Sequence, residues 1–210
     1  MTQYKEDCRE CPRLATFLDQ VKLEQPSYFC KPVPPFGDTL IRLLIVGLAP
    51  GMHGANKTGR PFTGDYAGIL LYKALFHFGF SNQQESTSAD DTLRLIGCRI
   101  TNAVKCLPPQ NKPEPKEIKQ CNHYLKSELT SLQPNTLVLA LGSIAHQSVL
   151  SAFKLKKSDY LFSHGARHAL PNQLVLYDSY HCSRYNTQTK RLTDEMFFSV
   201  FQSIKKEMES

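Results

Sequence analysis

The residues of this chain best placed to do chemistry stand in three short segments. The first, residues 47–65, holds five glycines, two prolines and a single acid, Asp65, at its end. Glycines let a backbone turn sharply and approach a ligand closely, and Lys57 and Arg60 add charge suited to an anionic or polar ligand. The segment lacks the Gly-Lys-Ser/Thr ending of a phosphate loop and the spacing of a dinucleotide fingerprint. The second segment, 101–115, carries Asn102 and Asn111. An amide offers a donor and an acceptor together, the pairing that reads a base edge, although an isolated Asn more often serves a turn. The third, 178–187, holds His181 among hydroxyls. There it is either a solvated turn residue or a hydrogen-bond donor to a developing anion. Asp65 directly precedes a helical pattern, so it reads as an N-cap, or as a carboxylate presented to a ligand.

Seven cysteines form a second source of chemistry. Cys8 and Cys11 have the separation by which two thiolates grip one metal or cluster, and Cys106 and Cys121 supply a second pair. Four thiolates suit tetrahedral zinc or an iron–sulfur cluster, and spacing does not choose between them. Cys30, Cys98 and Cys182 are left over, the first two best read as free thiols or small core residues.

The elements that must position these groups follow from the hydrophobic pattern. Residues 6–24 form a helix with Leu14, Phe17, Leu18 and Val21 on one face, and 25–38 an irregular, proline-rich connector. Strands are expected at 40–46, 99–104, 136–141 and 174–177, the first a continuous apolar run of the kind buried on both faces. Helices are expected over 66–78, 117–132 and 143–150, with a final one whose Leu192, Met196, Val200 and Ile204 face the core. The stretches 81–91 and 154–171 read as loops. Alternating strands and helices predict a parallel sheet covered on both faces, and ligands of such sheets bind beyond the carboxyl ends of the strands. All three segments lie at such ends.

The chain has 210 residues and a net charge of +6, and fits one domain spanning 1–210. The small basic excess is compatible with nucleic acid without demanding it. Residues 1–7 hold no apolar leader and no run approaches membrane-spanning length. A cytoplasmic protein of a bacterium or archaeon is expected, with its thiols reduced.

Taken together, the motifs resemble the uracil-DNA glycosylase superfamily, and most closely its family 5. The resemblance rests on Gly47-Leu48-Ala49-Pro50-Gly51-Met52-His53-Gly54-Ala55-Asn56 continuing through Asp65, and on Asn102-Ala103-Val104-Lys105-Cys106 with Asn111-Lys112-Pro113. Ala140 to Ala145 and the run from Tyr180-His181 to Thr193 complete it. The match runs in order over nearly the whole chain. It implies a three-layer α/β/α sandwich with a central four-stranded, mostly parallel sheet. It further implies a 4Fe–4S cluster on Cys8, Cys11, Cys106 and Cys121, structural in role, with zinc as the alternative.

The implied reaction is hydrolysis of the N-glycosidic bond of a flipped-out uracil in DNA, leaving an abasic site. Hypoxanthine and xanthine are further expected substrates, and U·G pairs are expected to be preferred over U·A because a poor pair costs less to open. The Leu48–Ala49 backbone, Phe62 and Asn102 would hold the base, and His181 would stabilise the departing anion through its O2. Relatives with an Asp or Asn at the position of Ala49 activate water there. Alanine takes no proton, so the route is dissociative, with Asp65 stabilising the sugar cation and Asn111 positioning water or base. Arg60, Ser183, Arg184 and Arg191 are the expected DNA contacts of a monomer. Cys182 departs from the proline usual after the histidine, which frees φ at that turn. No arginine-rich insertion with a nucleophilic histidine precedes His181, which argues against the relatives that bond covalently to DNA. The competing reading is a non-catalytic nucleic-acid-binding module stapled by a four-cysteine metal site. A small-molecule enzyme using the glycine loop has only that loop in its favour.

Overall fold

A computed structural model describes residues 4–209. Helix α1 (Pro12–Glu24) begins at Pro12, which fits the first helical turn because its missing N–H would have no partner there. The expected start at residue 6 is therefore too early. Cys8 precedes the helix and Cys11 is its N-cap. The strands are β1 (Phe36–Gly37), β2 (Leu43–Gly47), β3 (Cys98–Asn102), β4 (Leu137–Leu141), β5 (Arg167–Ala169) and β6 (Val175–Ser179). Between and after them run α2 (Ala55–Thr58), α3 (Tyr66–His77), α4 (Pro115–Thr130), α5 (Ser143–Ala152), α6 (Arg184–Gln188) and α7 (Asp194–Glu209).

The sheet has six strands in the order β1-β3-β2-β4-β6-β5. The inner four are parallel, in registers such as Ile45↔Ile100, Leu43↔Leu137 and Leu139↔Tyr177. Antiparallel β1 and β5 flank them. The expected four-stranded sheet is thus the parallel centre of a mixed one. The edges escape the hydrophobic pattern because they are two and three residues long and partly exposed.

Alternation along β2 sends Leu43 and Ile45 to one face and Leu44 and Val46 to the other. The first pair packs with Leu71 and Leu75 of α3 and Phe197 and Phe201 of α7. The second packs with Leu125 and Leu129 of α4 and Val149 of α5. Helices therefore cover both faces, giving the α/β/α sandwich. A third cluster joins Leu14, Leu18 and Val21 of α1 to Val104, Leu107 and Tyr124, and with them the four paired cysteines. The β5 edge is tied in by Asp178, whose carboxylate lies 2.8 Å from His146 Nδ1 and 3.3 Å from His168 Nε2. From β2 the chain passes to β3 on one side and later to β4 on the other. The loop leaving β2 consequently opens into a crevice where neighbouring connections diverge.

Candidate active site

A cleft of about 450 Å³ occupies that crevice. It is lined by Leu48, Ala49, Pro50 and Gly51 after β2, Phe62 to Ala67 in part, Asn102 and Asn111 near β3, and His181, Ser183 and Arg184 after β6. The three segments singled out in the sequence meet here.

Gly47 closes β2 because a Cβ there would stand 2.4 Å from Asn102 Oδ1 and 2.7 Å from the Phe62 ring. Its absence lets both side chains lie against the strand end. Phe62 takes a left-handed backbone (φ 56), a conformation costly for an aromatic residue and often stored at functional sites. Its ring faces that of His181, with centroids 6.0 Å apart and planes 28° from parallel. Asn102 is buried, and its Oδ1 has no protein partner. A buried orphan acceptor at the edge of a cleft is what a bound ligand completes. Asn111 is exposed at the rim, in a left-handed turn after Pro109.

Asp65 caps a helix and also borders the cleft. Its Oδ1 accepts the Gly68 N–H at 2.9 Å, capping α3. Its Oδ2 turns to the glycine loop, where a Cβ on Gly54 would come within 2.6 Å and one on Gly51 within 3.7 Å. Burial pushes the Asp65 carboxyl up, against the pull of the Gly68 and Ala67 amides. Burial pushes the His181 imidazole down to about 4, so the ring is neutral at physiological pH and donates a single N–H. Ala49 borders the cleft with no ionisable group.

The expected DNA contacts divide. Arg184 is exposed beside the cleft and lies over the Tyr66 ring, 5.1 Å from its centroid. Ser183 caps α6 by accepting the Asn186 N–H. Arg191 is exposed and lies 4.8 Å from the Tyr180 ring centroid. Arg60 is no surface contact. It is buried, paired with Asp91 at 2.5 Å, bonded to Ser86 Oγ and Ala89 O, and packed on the Phe36 ring. Its charge is consumed in holding the 86–91 loop. Arg167 and His168 are likewise engaged, with Glu207 and Asp178.

Cys182 is fully buried in the core beneath the cleft, where burial pushes its thiol up, so it acts as a small core residue. Its turn is held without proline by hydrogen bonds on both sides of His181. Tyr66 is a lining residue that sequence reasoning treated only as the start of a helix. Its position directly after Asp65 was the available signal.

Away from the cleft, Cys8, Cys11, Cys106 and Cys121 line one small cavity. Burial first, and then the neighbouring Cys121 thiol, pushes Cys11 up to about 11 and raises Cys106 as well. They are therefore neutral thiols at neutral pH unless a bound cation stabilises the thiolate form. The Lys105 N–H points at Cys121 Sγ from 3.3 Å, and the buried Tyr124 hydroxyl lies beside the cavity near Cys8. Elsewhere among the described residues, His146, His168 and Asp178 bring one ligand atom each within 4.8 Å of one another.

Comparison with known proteins agrees with this geometry. Residues 34–205 match the model of the uracil DNA glycosylase superfamily. The chain is 47% identical over 204 residues to a type-5 uracil-DNA glycosylase of Thermus thermophilus, covering 95% of this chain and 93% of that one. A type-5 enzyme of Pyrobaculum aerophilum is 42% identical over 200 residues, covering 93% and 87%. A type-4 uracil-DNA glycosylase of Archaeoglobus fulgidus is 36% identical over 125 residues, 59% of this chain and 55% of its own. With its α/β/α layers, its cleft beyond the parallel strands and these relatives, the chain belongs to the uracil-DNA glycosylase superfamily.

Proposed function

We propose that this protein is a monofunctional uracil-DNA glycosylase that starts base excision repair by releasing uracil from DNA. The observation that carries the reading is the cleft itself. A neutral imidazole donor, a carboxylate with one oxygen free of capping duty and an unpartnered amide acceptor surround a space next to an aromatic ring.

The flipped base enters along Phe62, with the Leu48–Ala49 backbone and the Asn102 amide on its polar edge. As the C1′–N1 bond breaks, its electron pair leaves with uracil, and the sugar becomes an oxocarbenium ion. The His181 N–H donates to the O2 of the departing anion. The Asp65 carboxylate opposes the positive sugar. Both are fixed before reaction begins, which is what makes such groups effective. Water then adds to C1′, placed with help from Asn111, and its proton passes to solvent or to the base. No carboxylate at position 49 accelerates that addition. Hypoxanthine and xanthine are proposed as secondary substrates, because departure of an anionic base held at a carbonyl does not require uracil.

The group proposed for the cysteine cavity is the 4Fe–4S cluster that the family resemblance implies, with zinc as the alternative. Cys8, Cys11, Cys106 and Cys121 would hold the cluster, which would supply a structural staple between the start of α1, the loop after β3 and α4. The protein acts as a monomer on duplex DNA, with Ser183, Arg184 and Arg191 on the strand-facing side.

A lesion-panel assay tests the reading. Duplexes carrying uracil, hypoxanthine or xanthine are incubated with protein and then cleaved with alkali. Strand scission at uracil, slowed on the order of 10²–10³-fold in His181→Ala, is expected. Binding to all three with no scission at any would replace this reading with that of a non-catalytic DNA-binding module.

A further inference from the structure

His181 gains none of its placement from a rigid element of its own. It lies two residues past the end of β6 and before α6 begins. What holds it are two hydrogen bonds, one on each side. Ahead of it, the Tyr180 N–H donates to His164 Nδ1 at 3.2 Å, and Ser179 Oγ lies 3.4 Å from the same nitrogen. The other ring nitrogen, Nε2, faces the Met196 carbonyl at 3.1 Å and donates to it. A ring that accepts at Nδ1 and donates at Nε2 is anchored to α7 on one side and holds the Tyr180 peptide on the other. The His164 ring also stacks on Tyr180, 5.1 Å away and 29° from parallel, while Arg191 lies over Tyr180 at 4.8 Å. Behind it, the Asn186 side-chain Nδ2 donates to the His181 carbonyl at 2.8 Å.

Asn186 sits on α6, and that helix is the exposed element beside the cleft. It spans five residues, none of them buried, and Tyr185 is 70% exposed. Its Asn186 carbonyl accepts the Leu192 N–H at 3.0 Å, so the residue links the His181 peptide, α6 and the start of the α7 region. An exposed element beside the cleft thereby carries the side-chain donor that holds the His181 carbonyl.

We infer that Asn186 and His164 are positioning residues for His181, and that Asn186 couples seating of α6 on the DNA to the aim of the His181 N–H. The inference rests on the role given to His181 above. Neither residue touches the base. Each holds one flank of the peptide that carries the imidazole, and a donor aimed at developing charge loses its effect when displaced by as little as an ångström.

The test is a double-mutant cycle read by single-turnover uracil release from a U·G duplex, with binding measured on a duplex holding a tetrahydrofuran abasic analogue. Asn186→Ala is expected to slow release roughly ten- to a hundredfold and to leave binding nearly unchanged. Asn186→Asp keeps the size and backbone contacts while replacing the donor with an acceptor, and is expected to show the same loss. In a His181→Ala background neither substitution should slow release further. His164→Ala should behave as Asn186→Ala does. His164→Asn, whose Oδ1 can take the place of Nδ1, should recover the rate. Additive losses in the His181→Ala background, or a loss seen in binding instead of rate, would overturn the inference. If His181→Ala itself releases uracil at the full rate, the assigned role of His181 fails first, and the cycle reports that separately.

Discussion

Replacing Asp65 by asparagine isolates one charge with little change in shape. Oδ1 caps α3 through the Gly68 N–H, and asparagine caps helices as well as aspartate does. The side chain keeps its place because Gly54 leaves room only for a group of this size, with Oδ2 within 2.6 Å of where a Cβ would stand. What disappears is the negative charge at the mouth of the cleft. One preorganised electrostatic group is worth about 3–4 kcal/mol, so release of uracil should slow on the order of 10²–10³-fold. Stability should move the other way. Burial raises the folded-state pKa of Asp65, so the folded protein binds this proton more readily than the unfolded chain. Its ionised form therefore costs stability above the folded pKa, and that cost vanishes as pH falls below the unfolded value. Asp65→Asn should accordingly melt higher than the parent at neutral pH, with the gain gone in acid. Single-turnover uracil release, anisotropy on an abasic-analogue duplex and thermal melts at two pH values measure all three quantities. A variant with full rate, or one whose rate loss equals its binding loss, would refute the charge-stabilisation argument. A variant that melts lower at neutral pH would refute the burial argument.

Other consequences follow from the same geometry. The raised Asp65 carboxyl should impose an acid limb on the release rate above the ordinary carboxylate range, and Asp65→Asn should flatten it in a pH–rate profile. His181, held down to about 4, should add no limb between about pH 5 and 8. Arg60→Ala should destabilise the fold by roughly 3–5 kcal/mol by stranding the Asp91 carboxylate, a loss visible in denaturant titration. The salt dependence of DNA binding should not change with it. Arg184→Ala should do the reverse, leaving stability near that of the parent and reducing the salt slope of binding by about one. Cys106→Ser should remove the brown colour and the iron expected of the purified protein and lower the melting temperature. Unchanged iron content would exclude Cys106 as a ligand.

Much of this was legible in the sequence. The central strands β2 and β4 announce themselves as continuous apolar runs because each is buried on both faces, and the last helix, α7, carries an apolar stripe that packs in the core. The edges were not legible. β1 and β5 bury no face of their own and owe their existence to backbone pairing with β3 and β6. The cleft was legible as three glycine-, asparagine- and histidine-bearing strand ends, but the duties inside it were not all so. Arg60 looked like a ligand contact because its partner Asp91 lies 31 residues further on, in a polar stretch that gives no hint of pairing. Asp65 offered two readings because sequence cannot show that a carboxylate divides its two oxygens between a helix and a cleft. The clasp on His181 depends on His164 and Asn186, which approach from opposite directions in the chain and have no shared motif.

The most direct measurement is of free base. Protein in excess over a U·G duplex labelled in the uracil ring should liberate free uracil and leave one alkali-labile abasic site per uracil released, with no covalent protein–DNA species. A duplex that is bound and returned with its uracil still attached would contradict the account at its centre.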